Sequence, residues 1–105
     1  MKILLDECVP RILKRDLPGH EVSSMGEMGW LGKKNGELLR LMSGKFDVFL
    51  TVDRNIRYQQ KLEAHKVALV IVVARDNRYE TLKLIMPRVL EILPDLHYGQ
   101  AVEVF

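Results

Sequence analysis

The sequence predicts an α/β fold: a three-layer α/β/α sandwich with helices on both faces of a mostly parallel sheet of about five strands. Three observations predict it. Short apolar runs alternate with amphipathic segments of helical period, which is typical of strand–helix–strand units. The runs over 48–52 and 67–73 carry no charge, as strands buried on both faces do. The runs over 2–5 and 48–52 each stop at an aspartate, Asp6 and Asp53, and ligands bind at such strand ends in parallel sheets.

The composition bounds the class of protein. The chain has 105 residues, 48% hydrophobic and 29% charged, which suits one globular domain over 1–105. Its only cysteine, Cys8, cannot form an internal disulfide, so we expect a cytoplasmic protein. The first apolar run ends at Asp6, unlike a signal peptide, and the longest, 67–74, is far shorter than the roughly 20 residues that cross a bilayer. We therefore expect no membrane association.

The first third of the chain predicts two strands joined by a helix. Residues 2–5 are the first strand, and Pro10 suits the first turn of a helix over 10–17, with Ile12 and Leu13 facing the sheet. Residues 20–24, which are less apolar, predict an edge strand.

The segment 25–32 has three glycines among large apolar residues, which predicts an irregular loop packed on the body. Within it, Trp30, Met25 and Met28 are most simply interpreted as core lining. A surface for a homodimer or another partner is the alternative, to be preferred only if these side chains form one exposed patch.

Asn35 is a good N-cap for a helix that ends near Gly44 and carries Leu38, Leu39 and Met42 on one face. The strand over 48–52 follows, and after a polar connector we expect a short helix over 59–64.

The last third predicts a buried strand, a divided helix and an edge strand. Residues 67–73 are the most hydrophobic segment and predict a central strand. A helix is expected to begin at Asn77, and Pro87 should kink or divide it because proline removes a backbone donor. The alternation over 101–105 predicts a half-exposed edge strand.

The acids at the strand ends predict a metal site. If the first and third strands are neighbours, Asp6 and Asp53 face each other, and carboxylates held together require protonation, basic partners or a cation. An oxygen-rich cluster suits Mg²⁺ or Mn²⁺, which could orient a phosphodiester and activate a bound water. Glu37 and then Glu7 are further candidates for the cluster. Neutral oxygens could come from Asn35, Thr51 and Asn55.

Basic residues fall in connectors expected at the same edge, where they could hold the phosphates of a nucleic acid. Tyr58 could stack on an unpaired base. The candidates for phosphate contacts are Lys33, Lys34, Arg54, Arg57, Arg75 and Arg78.

Three short motifs then carry a family resemblance. Residues 1–7, followed by Pro10, look like the start of the short PIN-like proteins of bacteria and archaea. Residues 35–39 resemble their second acidic motif. Residues 50–55 resemble their third, usually a threonine and two aspartates at alternate positions. The resemblance covers nearly the whole chain, and the three motifs occur in the right order between residues 1 and 55.

The resemblance implies a Mg²⁺- or Mn²⁺-dependent nuclease, commonly a ribonuclease, and many small members of the superfamily are toxins encoded beside an antitoxin. By position, it makes Asp6 and Asp53 metal ligands and Glu37 the acid carried by a helix. Two residues depart from the family pattern, because Asn35 and Asn55 stand where acids are expected. A PIN-like binding or assembly module without catalysis is therefore an alternative.

Several of these residues also have ordinary structural interpretations. An aspartate at the end of a strand often caps a turn, and a glutamate in a first helical turn interacts favourably with the helix dipole. The three histidines lack the spacing of a zinc site, and Cys8 is interpreted as a small buried apolar group.

A phosphoacceptor receiver domain is the main alternative of another class. It also has an acidic pair after its first strand, here Asp6 and Glu7, and an aspartate after its third, here Asp53. It needs in addition a hydroxyl residue after the fourth strand and a lysine after the fifth, and neither is found here.

Overall fold

The computed structural model describes residues 1–54 and 62–105. In this part of the chain, the strands form one five-stranded sheet in which every neighbouring pair is parallel. The predicted α/β class and parallel sheet are confirmed. The strands are β1 (Lys2–Leu5), β2 (Glu21–Ser24), β3 (Val48–Thr51), β4 (Ala68–Val72) and β5 (Ala101–Val104).

Helices occupy the connections from β1 to β2, from β2 to β3 and from β4 to β5. Two 3₁₀ helices, Arg11–Asp16 and Leu93–Asp95, flank the α-helices in the chain. No helix within the described ranges is both long and apolar enough to cross a membrane. The described α-helices are α1 (Met25–Met28), α2 (Asn35–Met42), α3 (Tyr79–Leu82) and α4 (Met86–Ile92).

The strand order is β2-β1-β3-β4-β5, which makes β1 the neighbour of both β2 and β3. The chain leaves β1 in one direction to form β2 and then returns to the other side of β1 to form β3. This reversal is the switch point at which open parallel sheets bind ligands. Leu5 pairs with Leu50 in the ladder between β1 and β3, so these two strands end side by side.

Apolar side chains are buried on both faces of the sheet, because successive residues of a strand point to opposite faces. Ile3 and Leu5 belong to one hydrophobic cluster, with residues of the first 3₁₀ helix, α3 and α4. Leu4 belongs to a second cluster, with residues of α1 and α2. All residues of β3 and β4 are buried, whereas β2 and β5 are the two edges, as predicted.

The helix predicted over 10–17 is a 3₁₀ helix, and one of its two predicted core residues was wrong. Leu13 is fully buried, but Ile12 is 48% exposed. A 3₁₀ helix has three residues per turn, so only one narrow row can face the sheet. Leu13 takes that row here, and Ile12 lies beside it on the solvent side.

The segment 25–32 contains the short helix α1 where an irregular loop was predicted. Ser24 accepts a hydrogen bond from the backbone N–H of Glu27, and the Glu27 carboxylate accepts one from the backbone N–H of Ser24. This capping box supplies partners for the first turn. Met25 and Trp30 are buried in the second cluster, with Met28 packed against it, so the core interpretation is confirmed.

Two predicted caps were wrong by one residue. Lys34 is the N-cap of α2, with an extended backbone, and Asn35 already belongs to the helix. Arg78 is the N-cap of α3, where Asn77 was predicted. Pro87 does divide the predicted helix, because α3 ends before it and α4 begins beside it. Proline is tolerated in the first turn of α4, since a backbone N–H at that position would have no partner within the helix. The helix predicted over 59–64 lies largely outside the described residues.

Candidate functional site

Asp6 lies at the carboxyl end of β1, directly at the switch point. Its backbone N–H donates to the carbonyl of Leu50 at 3.0 Å, which extends the β1–β3 ladder by one residue. The chain then turns away, and the carbonyl of Asp6 accepts the backbone N–H of Val9 at 2.9 Å. Asp6 is therefore fixed by backbone bonds on both sides, and its partly buried side chain is held between the ends of two strands.

Thr51 is the last residue of β3 and has no exposed surface. Its hydroxyl donates to Oδ2 of Asp6 at 2.6 Å. A buried hydroxyl requires a partner, and a carboxylate is a strong acceptor. This bond therefore orients the Asp6 carboxylate toward β3.

The same hydroxyl also holds the segment that carries Asp53. The backbone N–H of Asp53 donates to Oγ1 of Thr51 at 3.0 Å, while the Asp53 residue is exposed. The buried Oγ1 of Thr51 thus accepts a hydrogen bond from the backbone of Asp53 and donates one to the carboxylate of Asp6. The two predicted acids follow adjacent strands and share this one hydroxyl.

The Asp6 carboxylate has two further donors. Oδ1 accepts the backbone N–H of Glu7 at 2.7 Å, and the thiol of Cys8 donates to Oδ2 at 3.5 Å. Each carboxylate oxygen has two lone pairs, so Asp6 keeps acceptor capacity for another ligand. The Glu7 residue is exposed, and its backbone is what contacts Asp6.

Cys8 belongs to this polar group, which the sequence interpretation did not predict. Its sulfur lies 3.9 Å from Oγ1 of Thr51, and the residue is only partly buried. Burial raises the pKa of the Cys8 thiol, and the nearby Asp6 carboxylate raises it further, so the thiol is protonated at neutral pH. An Asp-x-Cys spacing directly after a strand is the signal that could have placed it here.

Asn77 connects two strand ends rather than capping a helix. Its side-chain N–H donates to the carbonyl of Cys8 at 3.0 Å, which ties the segment after β4 to the segment after β1. The turn before α3 is instead closed by Asp76, which accepts the backbone N–H of Arg78 at 3.0 Å. The site is thus closed on one side by a side chain from β4's connector.

Glu37, the third predicted acid, lies in the first turn of α2. Its exposed carboxylate forms an ion pair with Lys33 at 3.6 Å. Within residues 1–54 and 62–105, no group of three or more His, Cys, Asp and Glu side chains is placed to hold a metal ion. Asp6, Glu37 and Asp53 all lie within these ranges, so the predicted convergence of the three acids is not found.

Several predicted nucleic-acid contacts are engaged with acids. Arg54 pairs with Glu103 of β5 at 3.4 Å, and Asp76 pairs with both Arg75 at 3.6 Å and Arg78 at 3.5 Å. These pairs are exposed, so each contributes little to stability and can open for another anion. Lys34 is exposed as the N-cap of α2. Three predicted residues lie outside the described ranges: Asn55, Arg57 and Tyr58.

The donors at the switch point fit a hard divalent cation. Asp6 and Asp53 supply carboxylate oxygens, and the buried Thr51 hydroxyl orients the Asp6 carboxylate. Mg²⁺ is commonly bound by one or two carboxylates and keeps several waters, so a third acid is not required. These residues could therefore hold Mg²⁺ or Mn²⁺.

No protein-family model matches this chain, and neither does any curated protein or any solved structure. The function is therefore inferred from the residues themselves.

Proposed function

We propose that this protein is a Mg²⁺- or Mn²⁺-dependent ribonuclease that hydrolyses phosphodiester bonds at the β1–β3 switch point. The observation that supports it is the shared hydroxyl of Thr51, which contacts the Asp6 carboxylate and the backbone of Asp53. The two acids follow adjacent parallel strands, and one buried oxygen contacts the carboxylate of Asp6 and the backbone of Asp53, which supports a shared metal site.

In the proposed reaction, the metal supplies charge stabilisation at the phosphate and activates a water. Asp6 and Asp53 hold it, and Thr51 orients Asp6. Glu37 is paired with Lys33 on α2 and is not needed to hold the metal. Lys34 and Arg75 are exposed and supply phosphate contacts that position the substrate.

The proposed fold family is the PIN-like one, with helices forming a layer on each face of the sheet. Its support is the order of the three acidic motifs along the chain and the two hydrophobic clusters on opposite faces. By the same resemblance, we propose that the enzyme is the toxin of a toxin–antitoxin pair with an antitoxin protein as its partner. Asn35 and Asn55 reduce the negative charge of the site relative to that family.

The test is cleavage of single-stranded and structured RNA in the presence of Mn²⁺. Wild type is compared with Asp6→Asn and with Asp95→Asn, a matched loss of one acid in the 3₁₀ helix that precedes β5. Cleavage by wild type and Asp95→Asn but not by Asp6→Asn supports the proposal. Equal cleavage by all three proteins means a contaminating nuclease and overturns it.

A receiver-like phosphoacceptor is the second candidate, and the strand order favours it. The order β2-β1-β3-β4-β5 is the flavodoxin-like order that receiver domains share. Against it, β4 is followed by Val73 and Ala74 rather than by a hydroxyl residue, and Phe105 rather than a lysine follows β5. Phosphorylation of Asp53 by a small acyl phosphate would support the receiver and count against the nuclease.

A PIN-like binding or assembly module is the third candidate, favoured by the two asparagines at acidic positions. For such a module, wild type and Asp53→Asn should bind Mg²⁺ or Mn²⁺ with the same affinity. A difference between them excludes a role in which the acids have no function.

A further inference from the structure

A cationic surface lies beside the candidate site and contains none of its predicted residues. It consists of Arg15 in the first 3₁₀ helix, Tyr79 in α3 and Lys83 directly after α3. Nε of Arg15 donates to the Tyr79 hydroxyl at 3.0 Å, and its guanidinium carbon lies 5.2 Å from the centroid of the Tyr79 ring. Nζ of Lys83 lies 5.5 Å from the same centroid. We call these three residues the Tyr79 cluster.

The two cation–π contacts on the Tyr79 ring contribute little to the stability of the fold. An exposed cation–π contact contributes about 0.5–1 kcal/mol, and two cations gathered on one ring also repel each other. Arg15 and Lys83 are exposed, whereas Tyr79 is partly buried. The ring therefore holds two positive charges at the surface in fixed positions, which favours the binding of an anion there.

The Tyr79 cluster is connected to the candidate site through the segment that follows β4. Asn77, two residues before Tyr79, donates to the carbonyl of Cys8, and the Cys8 thiol contacts Asp6. Arg78, adjacent to Tyr79, has a side chain that is 68% exposed. A polyanion bound at the cluster would thus reach the switch point along the connector after β4.

An exposed apolar side chain lies next to the same cations. Ile12 is 48% exposed, and the three-residue turn of the 3₁₀ helix places it on the same face as Arg15. Arginine and lysine side chains both donate to phosphate oxygens, and a base of a bound strand would pack on Ile12. Asp16 and Glu80 follow Arg15 and Tyr79 in the chain and lower the positive potential of the cluster.

We infer that the Tyr79 cluster binds the backbone of single-stranded RNA and leads it to the switch point, an inference that rests on the proposed ribonuclease function. Arg15 and Lys83 contact consecutive phosphates, and the Tyr79 ring positions both cations. An acidic protein is the other polyanion that such a surface could bind, and the test below includes it.

The test is binding of a fluorescein-labelled oligouridine of about 20 nucleotides, followed by anisotropy in EDTA so that no metal-dependent cleavage occurs. Arg15→Gln and Lys83→Gln are each expected to weaken binding about three- to tenfold at low salt and to reduce the salt dependence by about one phosphate contact. Lys45→Gln is the matched control. Its Nζ also lies over an aromatic ring, 5.6 Å from the centroid of Trp30, but on the other face of the sheet.

The inference is supported if Lys45→Gln binds like wild type and polyglutamate of similar charge competes poorly. It is overturned if all three variants lose affinity equally, if wild type does not bind, or if polyglutamate competes as well as RNA. Asp6→Asn separates this inference from the proposed function, because it should abolish cleavage and leave binding in EDTA intact. Binding through the Tyr79 cluster without any cleavage by wild type would overturn the ribonuclease and retain the binding surface.

Discussion

The hydroxyl of Thr51 donates to Asp6 across two adjacent strands at 2.6 Å. The same oxygen accepts the backbone N–H of Asp53 at 3.0 Å, so one fully buried atom couples the positions of both acids. The coupling depends on strand order, because β1 and β3 are neighbours although a helix-containing segment and β2 separate them in sequence. Any ligand held by both acids therefore also depends on Thr51.

Thr51→Val should destabilise the protein although valine has the same shape and a high strand propensity. The variant leaves a carboxylate oxygen and a backbone N–H without their buried partner, which costs about 2 kcal/mol. Urea unfolding monitored by circular dichroism measures the loss. Thr51→Ser, which keeps the hydroxyl, should be closer to wild type. A Thr51→Val protein as stable as wild type would mean that the hydroxyl bonds contribute nothing.

Two neighbours in the first 3₁₀ helix should respond differently to truncation. Leu13 is fully buried, so Leu13→Ala should cost about 2–5 kcal/mol through lost burial and a residual cavity. Ile12 is 48% exposed, so Ile12→Ala should change stability by about 0.5 kcal/mol or less. Thermal unfolding of both variants measures the difference. Equal losses would contradict the burial of this helix.

The ion pair of Glu27 should make stability depend on pH in the acidic range. The hydrogen bond from Lys14 at 2.7 Å, with that from the Ser24 backbone, lowers the pKa of Glu27 from 4.5 to about 2. A lowered folded-state pKa stabilises the protein above about pH 4.5, and this contribution is lost as the pH falls toward 2.

Glu27→Gln isolates this effect because glutamine can keep the capping box with Ser24. Both side chains of the pair are 35% exposed, so the difference at pH 7 should be small, below about 1 kcal/mol. Urea unfolding from pH 7 to pH 2 should show the difference between the two proteins shrinking to nothing. A difference that stays constant over this range would contradict the ion pair.

Gly99 should tolerate alanine less well than Gly19. Both have a left-handed backbone, with φ of 93° and 84°. A Cβ at Gly99 would lie 3.0 Å from Cβ of Glu63, whereas one at Gly19 would meet nothing within 4 Å. Gly19→Ala should therefore lose only the conformational cost of about 1–2 kcal/mol, and Gly99→Ala more. Chemical unfolding of the pair checks this, and the reverse order would contradict it.

Hydrophobic pattern was sufficient to predict the sheet. The uncharged runs predicted as strands over 48–52 and 67–73 contain β3 and β4, and the low apolar content of 20–24 and the alternation over 101–105 predicted the two edge strands. Their parallel pairing then followed from the helices between them. The adjacency of β1 and β3 was a supposition from the acids, and the ladder confirms it.

Local capping chemistry was the part that pattern could not resolve. Asn35 and Asn77 both suit N-caps by residue type, yet the backbones of Lys34 and Arg78 take those positions. Asn77 is used instead for a contact with Cys8, 69 residues away in sequence, which no local signal reveals. The bond between Thr51 and Asp6 depends in the same way on tertiary structure, although each residue was a candidate by itself.

The central claim is that Asp6 and Asp53 hold one divalent cation together, and calorimetric titration with Mn²⁺ tests it most directly. Wild type should bind Mn²⁺ saturably, and Asp6→Asn and Asp53→Asn should each weaken binding at least about tenfold, since each removes one anionic ligand. Asp95→Asn should bind like wild type. Absence of binding by wild type, or equal weakening by Asp95→Asn, would contradict the account.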